Sequence, residues 1–348
     1  VDTLEKLYNK GVSRRNFMAG AGALGAASVL AGCSDSGSVA APVTSSTYTD
    51  LDVLNFALNL EYLEAQFYLY AATGKGLATA DTVAPSGYTG KYTVGTVTVG
   101  NAGLVAGTTA QQQQIISEIA YEEQEHVRFL RAALGSAAVP MPSIDLSFFA
   151  PLATAAGITG GSTFSPFASF DAFLIGAFIF EDVGVTAYAG AAPLISAAGV
   201  TAGYLNAAAG ILAVEAYHAG YVRTALTGRA IAAGATTPTS TAYPYVGIAN
   251  QVAALRATLT VGNSGAGSTG TGNTGAAGSS TSVETLLTVP TSVTTPSAIV
   301  AADSTSAIGF ARNVNQVHHI VYGSATVGVA KGGFFPNGTN SIFATTTA

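Results

Sequence analysis

Two Glu-x-x-His steps, Glu123 to His126 and Glu215 to His218, stand out in a chain with only ten glutamates and four histidines among 348 residues. Random placement gives on the order of 0.1 such steps, so the spacing is a signal. On a helix, an i, i+3 pair puts carboxylate and imidazole on one face a turn apart, where both reach a single cation. Glu61 and Glu181 add a second pattern: each is followed seven residues later by a tyrosine, Tyr68 and Tyr188. Oxygen and imidazole donors without a thiolate suit iron, manganese or zinc. Four carboxylates also balance the charge of two divalent cations.

Elements long enough to hold these groups are present. Helices are predicted over about 50–72, 109–134, 166–192 and 201–226, with Thr49 as the first cap and Gly74, Gly135, Pro193 and Gly228 as stops. Each carries one apolar stripe with the chemistry inside it. Leu54, Leu58, Glu61, Ala65 and Tyr68 form the first stripe; Ile116, Ile119, Glu123, His126 and Leu130 form the second. Leu174, Phe178, Glu181, Val185 and Tyr188 form the third, and Ala208, Ile211, Glu215, His218 and Val222 the fourth. Unpartnered carboxylates at such positions cost several kcal/mol each, which a pair of cations would relieve.

Several neighbours compete for a role. Glu64, one turn past Glu61, is the alternative ligand, but its stripe lacks the tyrosine that Glu61 shares with Glu181. Tyr68, Tyr188, Glu64 and Glu122 are placed behind the ligands. Glu118, Glu122 and Glu125, near Arg128 and Arg131, read as a solvated helix face from which Glu122 is the one placed to join the metal's surroundings. His318 and His319 are adjacent, point to different sides of a helix, and read as packing or surface residues.

The rest of the chain divides by composition. Arg14 and Arg15 precede a mild apolar run, 19–32, that is too short to span a bilayer and ends in Leu30-Ala31-Gly32-Cys33. This resembles a twin-arginine export signal over 1–32 joined to a lipoprotein acylation site at Cys33, with 33–49 as a tether. The expectation is an exported bacterial lipoprotein, periplasmic or at the cell surface, whose partners are the export machinery and membrane lipid, with a homodimer allowed. Residues 76–108 form an insertion in which Tyr92 to Val99 alternate as in an exposed hairpin. Residues 231–282 read as a low-complexity linker, and 283–348 as an extension with one further helix, capped by Asp303, carrying Phe310, Val314, Val317 and Val321, and stopped by Gly323. Charged residues make up 9% of the chain and net charge is -6, so no basic face exists for nucleic acid. The single cysteine excludes a disulfide framework and cysteine-rich zinc sites.

These residues resemble the ferritin-like superfamily, whose di-metal members take one Glu from each of two helices and Glu-x-x-His from the other two. Asn59-Leu60-Glu61 with Tyr68 is similar to the first ferritin helix, and Glu122-Glu123-Gln124-Glu125-His126 to the second. Phe310-Ala311-Arg312, Ile320-Val321-Tyr322 and the Gly332–Gly338 segment resemble the secreted ferritin-like group related to plant desiccation-related proteins. The resemblance implies an all-α fold: an antiparallel four-helix bundle over 50–230, built from a duplicated helix pair. It implies two divalent ions, iron or manganese, on Glu61, Glu123, His126, Glu181, Glu215 and His218, with Glu123 and Glu215 bridging and Glu61 and Glu181 terminal. The activities it implies are those of ferroxidases, rubrerythrins and manganese catalases. The competing expectation is a lipid-anchored stress scaffold with a degenerate site. The insertion, the signal and the extension depart from a cage-forming storage ferritin.

Overall fold

A computed structural model describes residues 48–100, 103–260, 284–290, 299–303 and 307–346. They carry helices α1 (Asp50–Thr73), α2 (Thr79–Thr82), α3 (Ala110–Leu134), α4 (Phe149–Ala155), α5 (Phe170–Ala191), α6 (Ala197–Thr201), α7 (Tyr204–Ala232), α8 (Tyr245–Thr260) and α9 (Val314–Val321), and strands β1 (Val97–Thr98) and β2 (Ile144–Asp145). Arg14, Arg15, Cys33 and the glycine- and serine-rich stretch 261–282 lie outside the described residues.

Local chemistry sets the helix ends. Thr49 with Asp52, and Thr109 with Gln112, form reciprocal capping boxes at the starts of α1 and α3, and Ser169 accepts from the Ala172 amide at the start of α5. Gly74 ends α1 in the left-handed region, as expected of a C-terminal glycine. The fourth long helix differs from its prediction at both ends. A separate turn, α6, takes residues 197–201, and α7 runs on through Gly228 to Ala232. Tertiary contacts carry it past the glycine, because Arg229 hydrogen-bonds Asp171 and Ala230 is fully buried.

The four long helices, α1, α3, α5 and α7, pack as a bundle. Contacts between α1 and α3 pair Gln113 with Ala72 and Arg131 with Tyr62, so the two run antiparallel. Antiparallel packing of α5 and α7 follows from Asp171 with Arg229 and Asp182 with Arg223. Glu61 with Tyr188 and Glu181 with Tyr68 make α1 and α5 antiparallel as well. It follows that α3 and α5 run parallel, and the connection 135–169 has to travel back along the bundle, as the single long crossover of this architecture requires. α5 is buried on nearly every side, including Glu181, Asp182 and Thr186, which identifies it as the central core helix.

Three expectations are corrected outside the bundle. The alternating 92–99 segment is no hairpin: β1 pairs in parallel with β2 of the crossover, and Gly95 donates to the Met141 carbonyl. The predicted linker contains α8, whose Val246, Ala249, Val252 and Ala253 are buried against the bundle. Its face is built from small residues, which leaves a weak sequence signal. The final helix is short, starting from an Asn313–Gln316 capping box instead of Asp303. Phe310 stays outside it because the Arg312 amide bonds the Thr186 carbonyl of α5. Gly190 permits that approach, since a Cβ there would lie 1.8 Å from the Arg312 carbonyl oxygen.

The extension closes the seam between α1 and α5. Ile320, Val321 and Phe334 pack on Leu60, Leu63 and Phe180, and Asn59 exchanges two hydrogen bonds with the Asn340 backbone. Phe334 and Phe335 are buried, as the turn's two aromatics require. His318 and His319 are fully buried packing residues, and burial pushes His318 down to about 3, so it is neutral.

Candidate metal centre

Glu61 on α1, Glu123 and His126 on α3, Glu181 on α5, and Glu215 and His218 on α7 meet in the middle of the bundle. Each of the four carboxylates is at most 1% exposed, and the imidazoles are nearly as deep. His126 Nδ1 lies 3.2 Å from Glu61 Oε2, 3.4 Å from Glu123 Oε2 and 3.9 Å from Glu215 Oε1. His218 Nδ1 lies 3.1 Å from Glu123 Oε1 and 3.4 Å from Glu181 Oε2. Both histidines therefore turn the same ring nitrogen inward. Ligand atoms within 4.8 Å of one another fall into overlapping groups: Glu61, Glu123, His126 and Glu215; then Glu123, Glu181 and His218; then Glu64, Glu181 and Glu215. Glu123, Glu181 and Glu215 each belong to two groups.

The surrounding shell orients these atoms. The Tyr68 hydroxyl donates to Glu181 and the Tyr188 hydroxyl to Glu61, a swapped pair that makes the internal repeat physical. The outward nitrogen of His218 contacts Glu122 at 2.6 Å, so Glu122 leaves the solvated face and acts as a fixing partner of the imidazole. Glu125 pairs with Arg128 instead, and Arg131 binds the Tyr62 hydroxyl and the Val83 carbonyl. Glu64 is drawn fully into the cluster, which the stripe argument alone had set aside.

Seven buried atoms of the cluster lack a well-aligned hydrogen bond: Glu61 Oε2, Glu123 Oε1, Glu181 Oε2, Glu215 Oε1 and His218 Nδ1 have only the carboxylate–imidazole contacts given above, and Glu64 Oε2 and Glu215 Oε2 have none. Such a concentration of buried, poorly satisfied carboxylate oxygens beside two imidazoles fits the donor set of a cation site. Electrostatics agree. Burial pushes Glu61 up to about 7 against the pull of His126, and burial with mutual repulsion holds Glu64 and Glu215 well above the usual range. Burial also raises Glu123, but contacts with both histidines overcome it and bring it down to about 2. Burial lowers the two imidazoles, and the carboxylates around them reverse this, to about 11 for His126 and about 12 for His218.

Glu61, raised in the fold, contributes stability that is complete below 4.5 and lost as pH rises to about 7. The histidines contribute stability that is complete below 6.5 and lost through about 11 and 12. Glu123 works the other way, gaining between about 2 and 4.5. The cluster of the metal-free protein is therefore most favourable near pH 4.5 and weakens toward neutrality, whereas cation binding needs deprotonated ligands. Melting scans with chelator or with Mn2+ should show a gap that is wider at pH 8 than at pH 5. An equal gap at both values would refute this.

Gly184, one turn past Glu181, is a functional position that the sequence reading missed. A Cβ there would meet Glu215 Oε2 at 2.2 Å, so the missing side chain makes room for the Glu215 carboxylate. The available signal was a glycine in the interior of a long apolar helix, which costs about 1 kcal/mol relative to alanine. Gly184→Ala should leave the protein folded but displace the Glu215 carboxylate, lowering the number of ions bound per chain in elemental analysis. Unchanged binding would show that Glu215 has slack.

Comparison with known proteins agrees with this architecture. Residues 49–228, more than half of the chain, match a family model described as a ferritin-like domain. The chain is 31% identical over 185 residues to desiccation-related protein PCC13-62 of Craterostigma plantagineum, covering 52% of this chain and 54% of that protein. It is 33% identical over 145 residues to ferritin-like catalase Nec2 of Nesocodon mauritianus, covering 41% and 44%. The matched stretch thus spans about half the length of these curated relatives. No solved structure gives a significant match. Long helices packed as a bundle, carboxylates and imidazoles buried at its centre, and the family match over that same segment together show that the chain belongs to the ferritin-like domain family.

Proposed function

We propose that this protein holds two divalent ions, iron or manganese, and handles peroxide, dioxygen or ferrous iron in defence of the cell envelope. The observation that carries the reading is the convergence of buried carboxylate and imidazole atoms from all four bundle helices. Glu61 and His126 would hold one ion and Glu181 and His218 the other, with Glu123 and Glu215 shared between them. When bound, a redox-active pair of this kind supplies two-electron exchange with an O–O bond. The chain's own residues supply the setting. Tyr68 and Tyr188 fix Glu181 and Glu61 by donated hydrogen bonds, Glu122 fixes the His218 tautomer, and the apolar stripes keep bulk water out. The relative named as a ferritin-like catalase supports a peroxide reaction. Elemental analysis after expression with iron or manganese should find two ions per chain, and the loaded protein should release oxygen from peroxide. Absence of both metal and turnover would sink the proposal.

The desiccation-related relative favours a second reading, a non-catalytic stress scaffold. In it the imidazoles stay protonated against the carboxylates, a pairing that the 3.2 Å contact of His126 with Glu61 allows. Under either reading we place the protein outside the cytoplasm, anchored through an acylated Cys33 after twin-arginine export, on the strength of Arg14, Arg15 and the Leu30–Cys33 motif. Changing both arginines to lysine should block export; normal export of that variant would remove this part.

A further inference from the structure

The internal repeat that relates α1 to α5 matches Glu61 with Glu181 and Tyr68 with Tyr188, but it fails three residues past the glutamates, where α1 has Glu64 and α5 has Gly184. The failure is not neutral. Glu64 is 5% exposed, its Oε2 has no hydrogen-bond partner, and it offers an oxygen within 4.8 Å of ligand atoms from Glu181 and Glu215. Gly184 supplies the space opposite: a Cβ there would lie 2.2 Å from Glu215 Oε2 and 3.4 Å from Glu64 Oε1. On its other side Glu64 borders a small cavity lined by Leu63, Val183, Ile320 and Phe334, none of which offers a side-chain donor. Once ionised, a carboxylate in that position finds its compensation only in the cluster, because an unpaired buried charge costs several kcal/mol.

We propose that Glu64 is a direct ligand of the cation beside His218, so that the two cation positions are chemically unequal. This inference rests on reading the centre as a di-metal site. One position has Glu61 and His126 as its own ligands; the other has Glu181, His218 and Glu64. Glu64 shares a group with Glu181 and Glu215, and no group joins it directly to either histidine; Glu181, which also belongs to the group of His218, is what places Glu64 on that side. The extra carboxylate oxygen makes the second position harder. Carboxylate oxygen is a ligand type that suits Mn2+. The device also explains why the repeat is broken in both halves at once: the added carboxylate in α1 needs the side chain deleted in α5.

The test is a Mn2+ titration of the full chain after chelator treatment, with free Mn2+ followed by its EPR signal. The unmodified protein should take two ions in two resolved steps. Glu64→Gln should weaken one step about tenfold or more and leave the other within about twofold. Glu64→Asp keeps the charge but withdraws the carboxylate by one methylene, and it should show the same selective loss. Circular dichroism melts of the metal-free variants confirm that each is folded. An unchanged titration for Glu64→Gln overturns the inference, as does a Glu64→Asp protein that binds like the unmodified one, since charge alone would then suffice. Unmodified protein that takes up two ions while both variants match it refutes this inference only. Unmodified protein that takes up none refutes the di-metal reading as well.

Discussion

Glu123→Ala is expected to abolish binding of both ions and to make the melting temperature insensitive to added metal. Glu123 is completely buried, faces His126 with one oxygen and His218 with the other, and belongs to two of the three ligand groups. On the proposed di-metal reading, removing it would take a ligand from each position and a unit of negative charge from between them. In the metal-free protein two effects oppose each other. Loss of Glu123 strips both imidazoles of a partner, yet it also relieves the repulsion that raises Glu64, Glu61 and Glu215. The change without metal is therefore moderate, and the distinguishing effect appears on adding metal. A ligand present at a hundred times its dissociation constant stabilises a fold by about 2.7 kcal/mol, and the variant should gain none of it. A Glu123→Ala protein that still carries two ions, or still melts higher with Mn2+, would show that the carboxylate is not a ligand.

The bundle and its centre were legible because their signals are redundant. Each stripe pairs helical periodicity with a charge at a core position, and both patterns point at the same face, so Glu61, Glu123, His126, Glu181, Glu215 and His218 emerge together. Where only one signal exists, the sequence misleads. Glu64 lies off the stripe by a single turn, and its burial depends on Gly184 in a helix more than a hundred residues away. Glu122 sits among exposed glutamates, and only the approach of α7 turns it toward His218. Helix α8 has small residues on its buried face, so its periodicity is faint, and the long connection between α3 and α5 is dictated by helix directions that no local pattern encodes. The buried arginines were invisible for the same reason: Arg223, Arg256 and Arg312 are unremarkable until their partners arrive from distant segments.

That arginine cluster carries the largest expected effect on stability. The Asp182 carboxylate receives Nε and Nη2 of Arg223 at 2.9 and 2.7 Å and Nη2 of Arg256 at 2.8 Å. Arg256 also binds Glu284, which in turn binds Arg312, so the network ties α7, α5, α8 and the extension into one unit. Burial raises Asp182, but the two guanidiniums reverse this and hold it below the usual carboxylate value. Its stabilising contribution is thus present above pH 3.8 and disappears as pH falls through the lower folded value. Asp182→Ala removes the shared acceptor from two guanidiniums that are at most 2% exposed, and breaking a buried pair from one side costs about 3–5 kcal/mol. For a bundle of this size that corresponds to a fall of roughly 10 °C in melting temperature. Asp182→Asn, which keeps the shape and one acceptor, should fall by less. Because Asp182 points away from Glu181 along the same helix, the folded fraction of either variant should still bind two ions, unlike Glu123→Ala. A Asp182→Ala protein melting within about 2 °C of the unmodified chain would mean that Glu284 and the carbonyls of Phe178 and Thr285 suffice to hold the arginines, and that the extension is not clamped through α5.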